Sequence, residues 1–500
     1  MKAAVESAQT HVERPGPDLP RSLVDQAFTR ASGAELIEGN SVRLLRDAAE
    51  NYPAWLEAIA SARRSIYFES YIIRDDASGR QFADALTARA RDGVPVRLIY
   101  DWMGALGKTS PGFWTDLREG GVDVRCFNPF RFSSPLGWVR RNHRKSLIVD
   151  GEVGFITGLC VGDAWVGDPA RGIEPWRDTG IEVRGPAVAE IEQAFVRMWS
   201  LTGTPIPKGE RRGRRPAPAG DVALRVVASE PSRGSLLRVD ELVAAAARST
   251  LWLTDAYFAG IPSYVQALRA AAMDGVDVRL LVPGGTDIPV LRPISQAGFR
   301  PLLEGGVRVF EWNGPMLHSK SAVADGRWAR IGSTNLNVAS WVGNYELDAL
   351  IEDESFARLL EAQFIEDLSN TTEILLSTRR RRVFHRRREG RGSDDRHGDH
   401  RHRARDRRVP GRGSAGRAAA GAIRLGNTVA AAVGNRRVLA GTEARIVAAL
   451  GALFAIAAAV ALFWPRLIAW PLALVLAWFA VVLLGRAYRL HRGRRRPVEK

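Results

Sequence analysis

Three stretches from the first 130 residues of this chain recur in the same order in its second half, so any fold for it has to place one unit twice. SARRSIYFESYIIRDD from Ser61 is answered by ARSTLWLTDAYFAG from Ala247, an apolar run ending in an aromatic and polar loop. ARARDGVPVRLIYD from Ala88 is answered by AAAMDGVDVRLLVPG from Ala270: a helix end, a glycine turn and a strand. REGGVDVRCFNP from Arg118 is answered by LEGGVRVFEWNG from Leu303. The offset, about 175 to 185 residues, is far beyond a solenoid period and reads as duplication of a whole domain. Short Val/Ile/Leu runs alternate with amphipathic stretches such as GRQFADALTARARDG, which predicts an α/β fold with a parallel or mixed sheet covered by helices.

This division gives an N-terminal extension (1–39), a first domain (40–201), a Pro-, Gly- and Arg-rich linker (202–220) and a second domain (221–378). A basic segment (379–445), two apolar stretches (446–484) and a basic tail (485–500) follow. The formal charge of +16 belongs to that end of the chain, because residues 1–378 sum to −5 and residues 379–500 to +21. A basic groove for nucleic acid is therefore not expected in the duplicated part. Residues 379–445 have little to bury and are expected to be disordered. They hold four of the eight histidines without recurrent ligand spacing, so no metal site is expected. Ile446–Trp464 and Leu467–Leu484 each approach the length of a membrane-crossing helix. Arginines before and after the pair place both flanks, the duplicated domains and both termini on the cytoplasmic side of a multi-pass protein. Two cysteines, Cys126 and Cys160, suggest no disulfide framework, the N-terminus has no signal-peptide core, and the Arg/Ala bias points to a bacterial source.

Only six lysines occur, yet His143, Lys145 and Asp150 stand together in NHRKSLIVD, and LHSKSAVAD repeats the spacing with His318, Lys320 and Asp325. Chance would supply roughly 0.1 His-x-Lys triplets in such a chain. A single copy would be an unremarked exposed strand; two, one per duplicated domain, can surround a phosphodiester across an approximate twofold axis. On a strand, His143 and Lys145 share a face, as do His318 and Lys320. One imidazole can then attack phosphorus while the other moves a proton, with the lysines stabilising charge and no metal or other cofactor needed.

HRKSLIVD and HSKSAVAD resemble the HxKxxxxD signature of the phospholipase D superfamily, and the similarity spans about residues 40–370. The resemblance implies two duplicated α-β-α sandwich domains related by a pseudo-twofold axis, followed here by a transmembrane helical hairpin. It implies that His143 is the nucleophile and His318 the acid and base, with Asp150 and Asp325 anchoring their motifs. Gly332, Ser333 and Asn335 of GSTN match residues that help hold phosphate, and Glu346 matches the acid that orients a catalytic imidazole; Asp178 of WRDT takes that role in the first copy. Where the family reads GGxN after the first motif, this chain reads TGLC, so Cys160 stands at the asparagine position. Glu69 and Tyr71, with Asp255 and Tyr257, end equivalent strands and either line a pocket or cap those strands. Trp138, Arg140 and Arg141 either meet lipid headgroups or form a solvated loop.

The superfamily fixes phosphodiester chemistry but not the substrate. The apolar pair favours an anionic phospholipid such as phosphatidylglycerol in a membrane, with no nucleic acid as partner. WRDTGIEVRGPAVAEIEQAF and ENYPAWLEAI look most like bacterial cardiolipin synthases, which implies phosphatidyl transfer through a phosphohistidine at the bacterial cell membrane. With water as acceptor the same site is a phospholipase D; a nuclease of the superfamily or a scaffold with a decayed site are the other readings. Bacterial cardiolipin synthases carry their membrane helices before the catalytic part, and here the apolar pair follows it.

Overall fold

The computed structural model describes residues 21–130, 140–211, 215–288 and 291–376, with isolated residues between 452 and 484. The first half supplies β1 (Ile37–Arg46), β2 (Ile66–Ser70), β3 (Val96–Asp101), β4 (Asp123–Phe127), β5 (Ser146–Val149), β6 (Val153–Thr157) and β7 (Thr179–Arg184). The second supplies β8 (Val222–Ser229), β9 (Thr250–Thr254), β10 (Asp277–Pro283), β11 (Arg308–Trp312), β12 (Ser321–Ala324), β13 (Trp328–Gly332), β14 (Glu346–Glu352) and β15 (Thr371–Ile374). They form one sheet in the order β15-β11-β10-β9-β12-β13-β14-β8-β1-β7-β6-β5-β2-β3-β4. Read outward from the antiparallel β1–β8 seam, the two sides have the same order, and β15 alone lacks a counterpart. In each half three strands run parallel and the rest antiparallel, so the sheet is mixed.

Period-two alternation sends neighbouring residues to opposite faces. Phe68, Leu98, Leu147 and Phe155 pack outward under the helices Asp47–Ser61, Ala77–Arg91 and Pro111–Glu119. Tyr67, Ile99, Ile148 and Ile156 face the other way, into a core shared with Leu224, Ile331, Leu347 and Ile351 of the second half. The helices Val188–Thr202 and Glu354–Leu368 contribute Phe195, Trp199, Phe356 and Leu360 to this core, and Tyr67 stacks on Phe195 at 5.0 Å. The halves thus share both a sheet and a hydrophobic core.

The expected N-terminal extension is partly structured. Helix Arg21–Ser32 buries Phe28 in the second half's outer core, and Asp25 pairs with the buried Arg225. Strand β1 begins at Ile37, ahead of the boundary at 40, because its edge is needed to meet β8. Among the described residues no helix is long and apolar enough to cross a membrane. The stretches Ile446–Trp464 and Leu467–Leu484 lie for the most part outside the described residues, as do residues 379–445, 485–500 and Trp138.

Tight turns join β5 to β6 and β12 to β13. Asp150–Gly151 and Asp325–Gly326 take positive φ at both central positions (56° and 63°, 52° and 61°), the geometry that favours Asp-Gly in a hairpin. Asp325 then accepts from the backbone N–H groups of Arg248 (2.9 Å), Ser249 (2.8 Å) and Thr250 (2.9 Å), fastening the start of β9. Asp150 does the same for Arg63, Arg64 and Ser65 before β2. Replacing Asp325 by Ala strands these donors and a left-handed backbone. It should lower stability by about 2 kcal/mol, read as a fall in the urea midpoint, whereas Asp325→Asn keeps an acceptor and should lose less.

Candidate active site

Because β2, β3 and β4 are parallel, their C-terminal loops gather at one end of the sheet, and the antiparallel β6 and β7 bring residues 158–178 to the same end. The second half repeats this with the loops after β9, β10 and β13. The two His-x-Lys segments enter β5 and β12 from this end. Short parallel bridges set them: His143 N–H donates to Tyr345 O at 3.0 Å, and His318 N–H donates to Arg177 O at 2.7 Å.

Those bridges cross between the halves, and so do the side chains. His143 Nδ1 lies 2.9 Å from Glu346 Oε2, and His318 Nδ1 lies 2.7 Å from Asp178 Oδ2. Each imidazole of one half is therefore oriented by the acid of the other. With Nδ1 engaged, Nε2 is left for the reaction. Lys145 Nζ donates to His143 O at 2.5 Å, and Lys320 Nζ donates to His318 O. Both lysines are buried, and each affects the protonation of both imidazoles, so the four residues form one cluster.

Burial holds His143 below the usual imidazole range and, with Lys320 beside it, takes His318 down to about 4. Burial would raise Glu346 and Asp178, but their imidazole partners outweigh it and keep both carboxyls below their ordinary range. Burial likewise lowers Lys145, and brings Lys320 to about 8.

Tyr71 and Tyr257 flank the pair edge-on, with ring centroids 5.0 Å from His143 and 5.8 Å from His318. Glu69 and Asp255 are fully buried behind them. Glu69 accepts from Asn142 Nδ2 at 2.7 Å, and Asp255 accepts from the N–H groups of Leu336 and Tyr257 at 2.8 and 3.1 Å. Of the matched pairs, the tyrosines border the site and the acids brace strand ends.

The other expected residues are placed around this cluster or at the far ends of its strands. Asp150 and Asp325 sit at the far ends of β5 and β12, where they bind backbone. The Ser333 hydroxyl donates to Glu346 Oε2 at 2.6 Å and accepts from Leu347 N–H at 2.9 Å, so its proton is committed to that carboxylate. Asn335 is buried with its side-chain oxygen lacking a protein partner, and Cys160, its positional equivalent, is buried near the lysines.

Trp165 is a residue that pattern reading missed. Gly158 stands where the second half has Ser333, and a Cβ there would come 2.2 Å from Asp178 Oδ1. The donor that shares Asp178 Oδ2 with His318 is instead Trp165 Nε1, at 3.1 Å, from a later turn of the same loop. Trp165 also meets the His318 ring edge-on at 5.5 Å. A tryptophan within GDAWVGD carries no periodic signal that would separate this role from ordinary packing.

The family model described as "Cardiolipin synthase, PLD-like domain" matches residues 55–199 and 242–368. A cardiolipin synthase of Alkalihalophilus pseudofirmus is 33% identical over 353 residues, covering 70% of each chain. Cardiolipin synthase A of Pseudomonas aeruginosa is 35% identical over 376 residues, covering 71% of this chain and 73% of its own. The crystal structure of phosphatidylserine synthase from Haemophilus influenzae has the same fold, with a TM-score of 0.54 at 16% identity over 70% of this chain and 92% of that one.

An unfolded imidazole takes a proton below about pH 6.5, while folded His318 resists it to about pH 4. The unfolded state therefore binds more protons in this window, and this contribution to stability, complete above pH 6.5, declines as the pH falls toward 4. Nitrogen-15 NMR of histidine-labelled protein should find His318 neutral at pH 5.5; a titration near 6.5 would contradict the burial described. Trp165→Phe keeps the packing but strips a donor from Asp178, which makes that carboxylate a stronger partner for imidazolium. The His318 titration should move upward, a change that a purely space-filling tryptophan would not produce.

Proposed function

Because the chain belongs to the cardiolipin synthase family of phospholipase D-like proteins and is a phosphatidyltransferase of phospholipase D type, we propose that it joins two phosphatidylglycerol molecules into cardiolipin and glycerol. The observation that carries this reading is the crossed arrangement: two imidazoles with free Nε2 atoms, each backed by a carboxylate, around two buried lysines.

In the first step Nε2 of His143 attacks phosphorus while the bond from phosphorus to the departing glycerol oxygen breaks, and His318 gives that oxygen its proton. The product is a phosphatidyl-histidine. In the second step His318 takes the proton of a hydroxyl on the incoming phosphatidylglycerol, its oxygen attacks phosphorus, and the bond to His143 breaks. Lys145 and Lys320 face the non-bridging oxygens throughout. Asn335, with an unengaged acceptor and an amide beside it, is the phosphate-holding candidate of GSTN, whereas Ser333 acts through Glu346.

The acid role needs a proton that His318 does not hold in the empty site. The substrate supplies the field for it. A unit negative charge about 4 Å away is worth about 4 kcal/mol at an effective dielectric near 20, or about three pH units. That carries an imidazole at about 4 to near neutrality. The protonated acid thus forms when a phosphodiester arrives.

The stretches Ile446–Trp464 and Leu467–Leu484 suit a membrane hairpin that keeps the catalytic part at the cytoplasmic face of a bacterial cell membrane. Water in place of the second lipid would make the same site a phospholipase D, and the enclosure of both imidazoles favours the lipid alcohol.

Incubated with radiolabelled phosphatidylglycerol in detergent, the protein should form cardiolipin and glycerol. His143→Ala and His318→Ala should each lose at least about a thousandfold. Phosphatidic acid as the main lipid product would move the assignment to a phospholipase D, and absence of both products would refute the lipid reading. Label retained on the His143 peptide after an alkaline quench would identify the nucleophile.

A further inference from the structure

We propose that the loops around the histidine pair form a docking face that lowers the active-site mouth onto an anionic phospholipid leaflet. The inference rests on a phospholipid being the substrate, and it concerns a surface rather than the chemistry. Large exposed apolar side chains are ordinary when scattered singly, and informative when gathered on one face. Here six of them are gathered. Leu106 follows β3, Phe130 follows β4, Val166 and Ile173 lie between β6 and β7, and Val338 and Val342 lie between β13 and β14. These loops belong to both halves, and all open toward the end of the sheet that holds the histidines. Leu106 and Val338 are 56% and 57% exposed.

The opposite end of the same sheet is built differently. Its turns read SARRS, RDG, EGG, DGE, ARST and DGR, and its exposed apolar side chains are Met273 and, on the N-terminal helix beside Ala247 and Asp325, Val24. Exposed Lys108, two residues after Leu106, and Arg140, whose carbonyl accepts from Asn128 Nδ2 at 2.9 Å, stand beside the apolar tips. Of the acids on these loops, Asp75 is held by Arg80, Asp163 accepts from Ser78, Asp168 pairs with Arg171, Asp287 accepts from the Tyr257 hydroxyl at 2.7 Å, and Glu174 is exposed.

The position of the chemistry identifies the occupant. His143 and His318 are only 9% and 5% exposed, so a reacting phosphorus has to sink below this rim. Drawing a whole lipid into water would expose two acyl chains. Seating apolar tips among the headgroups exposes nothing and buries the tips, with the cations meeting anionic phosphates.

The test uses the full-length protein reconstituted into vesicles of phosphatidylglycerol and phosphatidylcholine, in a Cys126→Ser background with Cys160 left buried. An environment-sensitive fluorophore is attached at Leu106→Cys or Val338→Cys, with Met273→Cys as the control at the other end. Brominated acyl chains should quench the two rim labels at least twofold and leave the control unchanged. No rim quenching, or equal quenching at all three sites, would overturn the proposal. In parallel, Leu106→Ser combined with Phe130→Ser should slow turnover of vesicle lipid about tenfold without affecting a soluble short-chain phosphatidylglycerol; equal slowing on both substrates would also overturn it. Rim quenching with phosphatidic acid as the product would uphold the docking face and remove the cardiolipin assignment, whereas cardiolipin formed without rim quenching would do the reverse.

Discussion

Each imidazole of the central pair is held by a carboxylate that belongs to the other half of the chain, and most of the architecture follows from that crossing. Two histidines and two lysines are buried within one small volume, which an apolar interior would not tolerate without compensating charge. Glu346 and Asp178 provide the compensation, and they can do so only if the halves meet in one fixed orientation. The β1–β8 seam, the common core around Phe195, Trp199 and Leu360, and the clamp of Arg177 between Asp47 and Asp367 all fix that orientation. Neither half contains a complete site.

The duplication was legible in the sequence because its signals are local: glycine turns, apolar runs and the His-x-Lys spacing each occupy a few residues. The equivalent strands lie at equivalent places in the sheet. The acids were also legible as residue types. Their crossing was not, because a motif says nothing about which of two near-identical units it will face. Ser333 was matched to phosphate by position, yet its hydroxyl lies nearer to a carboxylate that enters from a strand 13 residues later. Trp165 was invisible for a related reason, since its role depends on the space left by Gly158. Helix Arg21–Ser32 escaped notice because its few apolar residues do not separate a docked helix from a solvated one, and Phe28 in the core is joined in fastening it by the Asp25–Arg225 pair.

The two half-sites have diverged while keeping the same electrostatics. The longer Glu346 is steadied by a small hydroxyl beside it, and the shorter Asp178 by an indole reaching in from the next turn. Around His318 the result is an aromatic enclosure of Trp165, Trp176 and Tyr257, where His143 has Tyr71. Asn335 and Cys160 hold equivalent positions in the two halves, so polar capacity is greater on one side. Such inequality suits a reaction in which one imidazole forms a covalent bond and the other handles protons.

The crossing also sets a timetable for biosynthesis. Glu346 is made 203 residues after His143, an interval of roughly 10 to 40 s at ordinary translation rates. During that time the emerging first half carries a histidine and a lysine whose counter-charge does not yet exist, and until Ser229 has been made β1 presents an unpaired ladder where β8 will bind. The nascent chain is therefore most open to off-pathway strand pairing midway through its synthesis, and the seam can close that edge before Glu346 arrives to complete the site.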